Sequence, residues 1–106
     1  MFILNYNLKT ALIIATYNWP EALELVLLSV LNQSVFPDEI IIADDGSSDD
    51  TQKKVKGFMK QENHVFLLDR SNEKIRGLTA SVLDGIKQTK TQKFIVMDGD
   101  LQHPPE

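Results

Sequence analysis

Carboxylates stand directly after three of the four apolar segments of this sequence. The three groups are Asp44-Asp45-Gly46-Ser47, Asp69-Arg70-Ser71 and Asp98-Gly99-Asp100. Like charges gathered at one rim repel each other unless a cation or hydrogen-bond donors offset them. This concentration of acidic residues therefore indicates a binding site that holds positive charge or N–H groups.

The last of these groups has the pattern of a site for a hard cation. Residues i, i+2 and i+4 of an extended chain point to one side, so Asp98, Asp100 and the amide oxygen of Gln102 can converge. Oxygen ligands of this kind suit Mg²⁺ or Mn²⁺. Asp-x-Asp is also common in turns and helix caps, so the pattern alone leaves both interpretations open.

The segment Asp44-Asp45-Gly46-Ser47-Ser48-Asp49 also has two interpretations. It is either a turn in which Ser48 or Asp49 caps the next helix, or a nucleoside pocket in which one carboxylate accepts a hydrogen bond from a base. Neutral uracil and guanine carry an imino N–H that can donate to a carboxylate, whereas adenine does not. If Asp45 recognises the base, UDP or GDP is expected to bind in preference to ADP.

Two further side chains have a binding and a structural interpretation. Tyr17 either stacks on a base or covers the sheet with its hydroxyl in water. Arg76 either pairs with a phosphate through its planar guanidinium or remains a solvated surface charge. The glycines form neither G-x-G-x-x-G nor G-x-x-x-x-G-K, which excludes the familiar dinucleotide-binding and P-loop sites.

The elements that must position these residues are four short strands separated by helices. Each strand candidate is continuously apolar and rich in β-branched residues, which is typical of strands buried on both faces of a parallel sheet. The candidates are Ala11–Ala15, Ile40–Ala43, Val65–Leu68 and Phe94–Met97. Ligands of open α/β sheets bind beyond the carboxyl ends of the strands, where the acidic groups lie.

Helical patterns fill the three gaps, at about residues 20–31, 49–61 and 78–89. The first is apolar almost all round and predicts a well-buried helix. The second and third predict amphipathic helices with these residues inward: Val55, Phe58 and Met59, then Val82, Leu83 and Ile86. The order β-α-β-α-β-α-β predicts a Rossmann-like three-layer α/β/α fold with a mainly parallel sheet of about four strands.

Composition fits one globular domain of 106 residues with a net charge of −4 and no cysteine. The absence of cysteine excludes disulfides and thiolate metal sites, and the acidity argues against nucleic acid as a partner. No apolar run reaches the ~18 residues of a membrane span. We expect a cytoplasmic location, or a peripheral one at the cytoplasmic face of the membrane.

The sequence ends just after its fourth strand, with Pro104-Pro105-Glu106. A half-sheet of four strands leaves an edge or a face uncovered. We therefore expect residues 1–106 to be a single domain truncated from a longer one, with self-association through the uncovered surface.

In combination, these features resemble the amino-terminal, nucleotide-sugar-binding half of an inverting family 2 glycosyltransferase with the GT-A fold. The final stretch is most similar to polyprenyl-phosphate mannosyl- and glucosyltransferases, and the first fifty residues are more similar to bacterial cell-surface polysaccharide glycosyltransferases. The resemblance rests on the order and spacing of five segments: Ala15-Thr16-Tyr17-Asn18, Ser29–Gln33, Asp44–Thr51, Arg76-Gly77-Leu78 and Met97–Glu106.

The resemblance implies a role for each matching residue. Tyr17 and Asp45 would hold the nucleoside of a UDP- or GDP-sugar and Arg76 would lie near its phosphates. The residues implied in nucleotide binding are Ala15, Tyr17, Asp45, Arg76 and Asp98, and those implied around Mg²⁺ or Mn²⁺ are Asp98, Asp100 and Gln102. The acceptor would be a lipid phosphate or a saccharide. Because the family's general base comes from its second half, we expect this chain to bind a nucleotide and to transfer little or no sugar.

Two other functions remain as alternatives. A phosphoacceptor receiver domain also carries an Asp pair after a strand, and it would gain mass with acetyl phosphate. A non-catalytic interaction or scaffold module would associate through exposed apolar surface, so a monomer at all concentrations would weaken that alternative.

Overall fold

A computed structural model of the chain describes residues 9–34, 36–47 and 50–98. Every predicted strand and helix lies in these ranges, with small shifts at the ends, whereas the two cap candidates Ser48 and Asp49 lie outside them. The elements are β1 (Thr10–Thr16), α1 (Pro20–Leu31), β2 (Glu39–Asp44), α2 (Asp50–Gln61), β3 (Val65–Asp69), α3 (Leu78–Gln88) and β4 (Lys93–Asp98).

The four strands form one parallel sheet in the order β3-β2-β1-β4. The chain moves outward from β1 to β2 and β3, then returns past β1 to form β4. The direction of this progression reverses between β1 and β4, where Ala15 pairs with Asp98. In open α/β sheets, this reversal opens a crevice beyond the carboxyl ends of the strands.

Helices cover both faces of the sheet, as predicted for a three-layer fold. The helices α1 and α2 pack on one face, and α3 packs against β1 and β2 on the other. Side chains alternate between faces along a strand, so Ile13 contacts α3 while its neighbours join the core under α1 and α2. That core consists of Leu12, Ile14, Leu23, Val26, Leu27, Val30, Ile40, Ile42, Val55 and Val65.

The face that α3 turns to the sheet differs from the predicted one. Its buried residues are Ser81 and Gly85, whereas Leu83, which was predicted to point inward, is 53% exposed. A β-carbon at Gly85 would lie 2.6 Å from Cγ2 of Ile13. The helix therefore approaches β1 through small residues, and its larger apolar side chains lie beside the contact or away from it.

The other two helices are also less buried than their composition predicts. In α1, the predicted burial holds for one face, with Ala22, Leu23, Val26, Leu27 and Val30 buried, but Leu25 is 57% and Leu28 is 46% exposed. A helix on one face of a sheet buries a single stripe of side chains. In α2, Val55 is buried and Phe58 packs against the core, but Met59 is 37% exposed.

Burial of the strands on both faces is confirmed for β1 and β2 only. All six residues of β4 are exposed, including Ile95 at 59%, and Phe66 of β3 is 42% exposed. Because α3 covers β1 and β2, no helix of the described ranges packs over β4. The uncovered surface of the sheet thus includes β4 and the part of β3 around Phe66. None of the described helices combines the length and the hydrophobicity needed to cross a membrane.

Candidate functional site

A cleft of about 210 Å³ lies at the carboxyl ends of the strands, where the strand order reverses. It is lined by Ala15, Thr16, Tyr17, Asp45, Gly77, Leu78, Ser81 and Asp98. Four of the five residues predicted to bind the nucleotide are among them. The fifth, Arg76, does not line the cleft but directly precedes Gly77, which does. The topology therefore brings the predicted residues of β1, β2 and β4 to one place.

The loop that carries Tyr17 is tied to the loop after β2. Asn18 has a φ of +52°, a left-handed conformation that asparagine tolerates better than most residues. Its backbone N–H donates to Oγ of Ser47 at 2.7 Å, and the Ser47 hydroxyl donates to Oδ1 of Asp44. Tyr17 is thus held at the cleft by both loops, and its side chain is 52% exposed there.

The two adjacent aspartates have different roles: Asp44 fits the turn interpretation of their segment, and Asp45 fits the nucleoside-pocket interpretation. Asp44 is fully buried and accepts hydrogen bonds from the Ser47 backbone at 3.2 Å, the Ser47 hydroxyl and Nε2 of Gln52 at 2.7 Å. It closes the turn and does not line the cleft. Asp45 lines the cleft, as the nucleoside-pocket interpretation requires.

The carboxylate of Asp45 is held by protein donors on both oxygens. Oδ1 pairs with Nη1 of Arg70, and Oδ2 accepts the backbone N–H of Gly77 at 2.7 Å. An ionised carboxylate has about four acceptor positions. Asp45 can therefore still accept a hydrogen bond from a ligand.

Arg70 is the main residue of the site to which the sequence pattern assigns no role. It is 2% exposed, and its Nε donates to Oδ2 of Asp84 at 2.8 Å. Nη1 also donates to Oγ of Ser81 at 3.2 Å, and Nη2 donates to the carbonyl of Ile75 at 2.7 Å. The signal that pointed to it was the acidic rim, since Arg70 is the basic residue within the three carboxylate groups.

Arg76 joins two loops through three backbone carbonyls. Its Nε donates to Glu73 at 2.9 Å, Nη1 to Asp45 at 2.7 Å and Nη2 to Ser71 at 2.8 Å. Arg76 is therefore an exposed charge whose guanidinium is fixed by the backbone, and its contact with a phosphate stays a prediction. A guanidinium has five N–H groups, so two remain for a phosphate. Gly46, with φ at +97°, leaves room for this guanidinium, which a β-carbon at that position would strike.

Two other side chains, those of Thr16 and Asp69, lie at the carboxyl ends of strands. The Thr16 side chain is buried at the cleft, and its Oγ1 has no hydrogen-bond partner among the described residues. Asp69, at the end of β3, does not line the cleft and instead accepts hydrogen bonds from the side chain and backbone of Ser71. The Ser71 hydroxyl holds the pKa of Asp69 below its ordinary value.

The predicted metal ligands are only partly within the described ranges. Asp98 lines the cleft, while Asp100 and Gln102 lie outside the part of the chain that the structure describes. Within that part, no three acidic or histidine side chains gather closely enough to hold a metal. The carboxylate of Asp98 is a donor of the type that a hard cation prefers, so this residue fits the predicted ion.

The fold matches that of a solved glycosyltransferase. A mannosyltransferase from Pyrobaculum calidifontis, in complex with GDP-Man and Mn²⁺, superposes with a TM-score of 0.77 at 20% identity, over 94% of this chain and 30% of that one. The predicted GT-A fold is therefore confirmed.

Sequence relatives carry related names. A dolichol-phosphate mannosyltransferase of Pyrococcus furiosus is 38% identical over 93% of this chain and 28% of its own length. An undecaprenyl-phosphate 4-deoxy-4-formamido-L-arabinose transferase of Photorhabdus laumondii is 34% identical over 92% of this chain and 31% of its own. The chain thus spans less than a third of the length of these relatives.

The sequence profile of glycosyl transferase family 2 matches residues 11–106. This range includes all five segments on which the predicted resemblance rests, and the match decides against the receiver-domain alternative. The chain belongs to glycosyl transferase family 2.

Proposed function

We propose that this chain is the donor-binding domain of an inverting, metal-dependent glycosyltransferase that uses a nucleotide-diphospho-sugar. The observation that carries the proposal is the convergence of Tyr17, Asp45 and Asp98 on one cleft at the β1/β4 reversal. These side chains come from three different strand ends, and together they offer a stacking surface, a base acceptor and a cation ligand.

The proposed donor is a GDP- or UDP-sugar. Asp45 would accept the imino N–H that guanine and uracil carry, and the exposed ring of Tyr17 would stack on the base. The GDP-Man in the Pyrobaculum calidifontis mannosyltransferase supports guanine as the first base to test. Ala15 is the neighbour of Asp98 in the sheet and also lines the cleft, so it is assigned to the same nucleotide contact.

The proposed cofactor is Mg²⁺ or Mn²⁺, which Asp98, Asp100 and Gln102 would hold on the diphosphate. When bound, such an ion offsets the negative charge on a departing nucleoside diphosphate. The Mn²⁺ in the structural relative supports this assignment. Asp98 would additionally orient the diphosphate at the mouth of the cleft.

The proposed acceptor is a lipid phosphate, as the names of the dolichol-phosphate and undecaprenyl-phosphate relatives suggest. A saccharide acceptor stays the alternative. A location in the cytoplasm or at the cytoplasmic face of a membrane also stays a prediction. So does the expectation that these 106 residues transfer little sugar by themselves, which detectable transfer to any acceptor would contradict.

Calorimetric titration tests the donor proposal directly. The chain is titrated with GDP, UDP and ADP, each with and without Mn²⁺, and the titrations are repeated on Asp98→Asn. Asp69→Asn is the matched control, because Asp69 also ends a strand of the sheet but does not line the cleft. We expect Mn²⁺-dependent binding of GDP or UDP, weak binding of ADP, and a loss in Asp98→Asn only. Silence from a folded sample would refute the proposal.

An interaction module is the second candidate, and exposed apolar side chains on β4 favour it. Phe94 is 44%, Ile95 59% and Val96 43% exposed. Exposed apolar surface of this kind drives association. Sedimentation over a range of concentrations tests it, with assembly expected to weaken in Ile95→Lys; a monomer throughout would contradict it.

A further inference from the structure

We propose that Arg70 is the positioning residue of this site, holding the Asp45 carboxylate in the orientation in which it recognises a base. This inference rests on the proposed donor site. Its physical basis is a chain of contacts through the buried Arg70 that starts at α3 and ends at the cleft.

The hydrogen bonds of Arg70 show how firmly it is fixed. Four of its five N–H groups have partners: one donates to Asp84, two from Nη1 reach Asp45 and Ser81, and one donates to the carbonyl of Ile75. The guanidinium is 2% exposed and rigid in its plane. It therefore has no freedom to turn away from Asp45.

Both oxygens of the Asp45 carboxylate accept hydrogen bonds from the protein. Arg70 donates to Oδ1, and the backbone N–H of Gly77 donates to Oδ2. Donors on different oxygens fix both the position and the plane of a carboxylate. An acceptor fixed in advance loses less conformational entropy when a ligand binds, so this arrangement favours recognition of one base edge over another.

The charge of Arg70 also serves the site. Its guanidinium forms an ion pair with the Asp45 carboxylate. Asp84 pairs with a different nitrogen of the guanidinium, Nε. Its side chain is 30% exposed, compared with 2% for Arg70. Asp84 can therefore be altered with less risk to folding.

If Arg70 had only a structural role, it would stabilise the fold but would not affect nucleotide affinity through Asp45. The two roles differ in a double-mutant cycle, which isolates the interaction between two side chains from their separate costs. The cycle combines Arg70→Lys with Asp45→Asn and measures GDP and UDP affinity by calorimetry with Mn²⁺ present. Lysine keeps the charge but lacks the planar fork.

We expect Arg70→Lys to weaken GDP or UDP binding by about tenfold in the wild-type background. In the Asp45→Asn background the same change should cost less than about twofold, since the carboxylate that Arg70 positions is already gone. Equal losses in the two backgrounds would overturn the proposal. If Arg70→Lys does not fold, Asp84→Asn takes its place in the cycle, with a smaller loss expected.

The matched control for Asp84→Asn is Glu24→Gln. Glu24 forms an ion pair of 3.1 Å with Lys54 between α1 and α2, away from the cleft. Glu24→Gln should leave nucleotide affinity unchanged. A loss equal to that of Asp84→Asn would mean that any lost ion pair has the effect, and it would overturn the proposal.

A second measurement does not depend on nucleotide binding. The amide proton of Gly77 reports on its hydrogen bond to Asp45, so its NMR chemical shift should move in the same direction in Asp84→Asn, Arg70→Lys and Asp45→Asn. An unchanged Gly77 signal in a folded Asp84→Asn and Arg70→Lys would overturn the positioning role. If the wild-type chain binds no nucleotide, the donor-site proposal fails, and the Gly77 signal alone decides whether Arg70 positions Asp45.

Discussion

The backbone N–H of Gly77 donates to Oδ2 of Asp45 at 2.7 Å, which joins the start of α3 to the end of β2. Gly77 has a φ of +110°, a conformation that favours glycine. This contact brings the loop after β3 to the cleft, although the two residues are far apart in the sequence. Asp44, which directly precedes Asp45, does not contact Gly77. Its carboxylate instead accepts hydrogen bonds from Ser47 and Gln52 and so closes the turn after β2.

This division between neighbouring aspartates gives the first prediction. Asp44→Asn should lower the free energy of unfolding by about 1–3 kcal/mol, since buried donors of Ser47 and Gln52 lose a charged acceptor. Its nucleotide affinity should fall much less than that of Asp45→Asn, because Asp44 acts on the cleft only through Ser47 and the loop of Tyr17. Asp45→Asn should weaken GDP or UDP binding by about tenfold or more and reduce the preference over ADP. Urea unfolding and calorimetry separate the two effects. An affinity loss in Asp44→Asn as large as that in Asp45→Asn would contradict this division of roles.

The close contact of α3 with β1 gives the second prediction. Gly85→Ala should lower the free energy of unfolding by about 1–3 kcal/mol, because the added methyl would lie 2.6 Å from Cγ2 of Ile13. Gly57→Ala is the matched control. Nothing lies within 4 Å of its added β-carbon, so that change in α2 should stabilise by about 0.5–1 kcal/mol. Thermal or urea unfolding measures both, and a stabilised Gly85→Ala would contradict the packing.

Sequence patterns predicted the elements of this fold better than they predicted what covers them. The apolar runs with β-branched residues located β1 and β4 equally well, but β1 is buried and Ile95 of β4 is 59% exposed. The pattern within a strand does not state whether a helix lies above it. Leu83 illustrates the same limit, since a small residue, Gly85, forms the contact with the sheet.

The positions of site residues were predictable where the residue directly follows or ends a strand. Tyr17, Asp45 and Asp98 follow their strands directly, so the rule for parallel sheets located them. The pairing of Arg70 with Asp45 was not predictable in this way, because it depends on how the β3–α3 loop folds over the end of β2. The acidic rim signalled the need for a cation but did not identify which basic side chain provides it.

Ser71 and Asp69 give a prediction about pH. The Ser71 hydroxyl lowers the pKa of Asp69 from its ordinary value of 3.8, with help from the Ser71 backbone N–H. A pKa depressed in the folded state adds stability that is present above the unfolded pKa and lost as pH falls through the folded one. Ser71→Ala should therefore raise the pKa of Asp69 and reduce stability slightly at neutral pH.

The difference between wild type and Ser71→Ala should shrink as pH falls below about 4, where Asp69 becomes protonated in both. Urea unfolding at several pH values and NMR titration of the Asp69 carboxyl carbon test this. Ser29→Ala, at an exposed site on α1, serves as the control. A difference that stays constant down to low pH would contradict the assignment.

Arg76 gives the last prediction, because its donors are divided between backbone and ligand. Three of its N–H groups hold the carbonyls of Glu73, Asp45 and Ser71, which leaves two of five for a phosphate. Arg76→Ala should loosen the loop and weaken the binding of both guanosine and GDP. GDP should lose more, by a further factor of about three to ten, since only GDP presents phosphates. Lys74→Ala removes the same charge from an exposed position in the same loop, away from the cleft, and should change neither affinity. Calorimetry with both ligands measures the difference, and equal losses for guanosine and GDP would mean that Arg76 serves the loop alone.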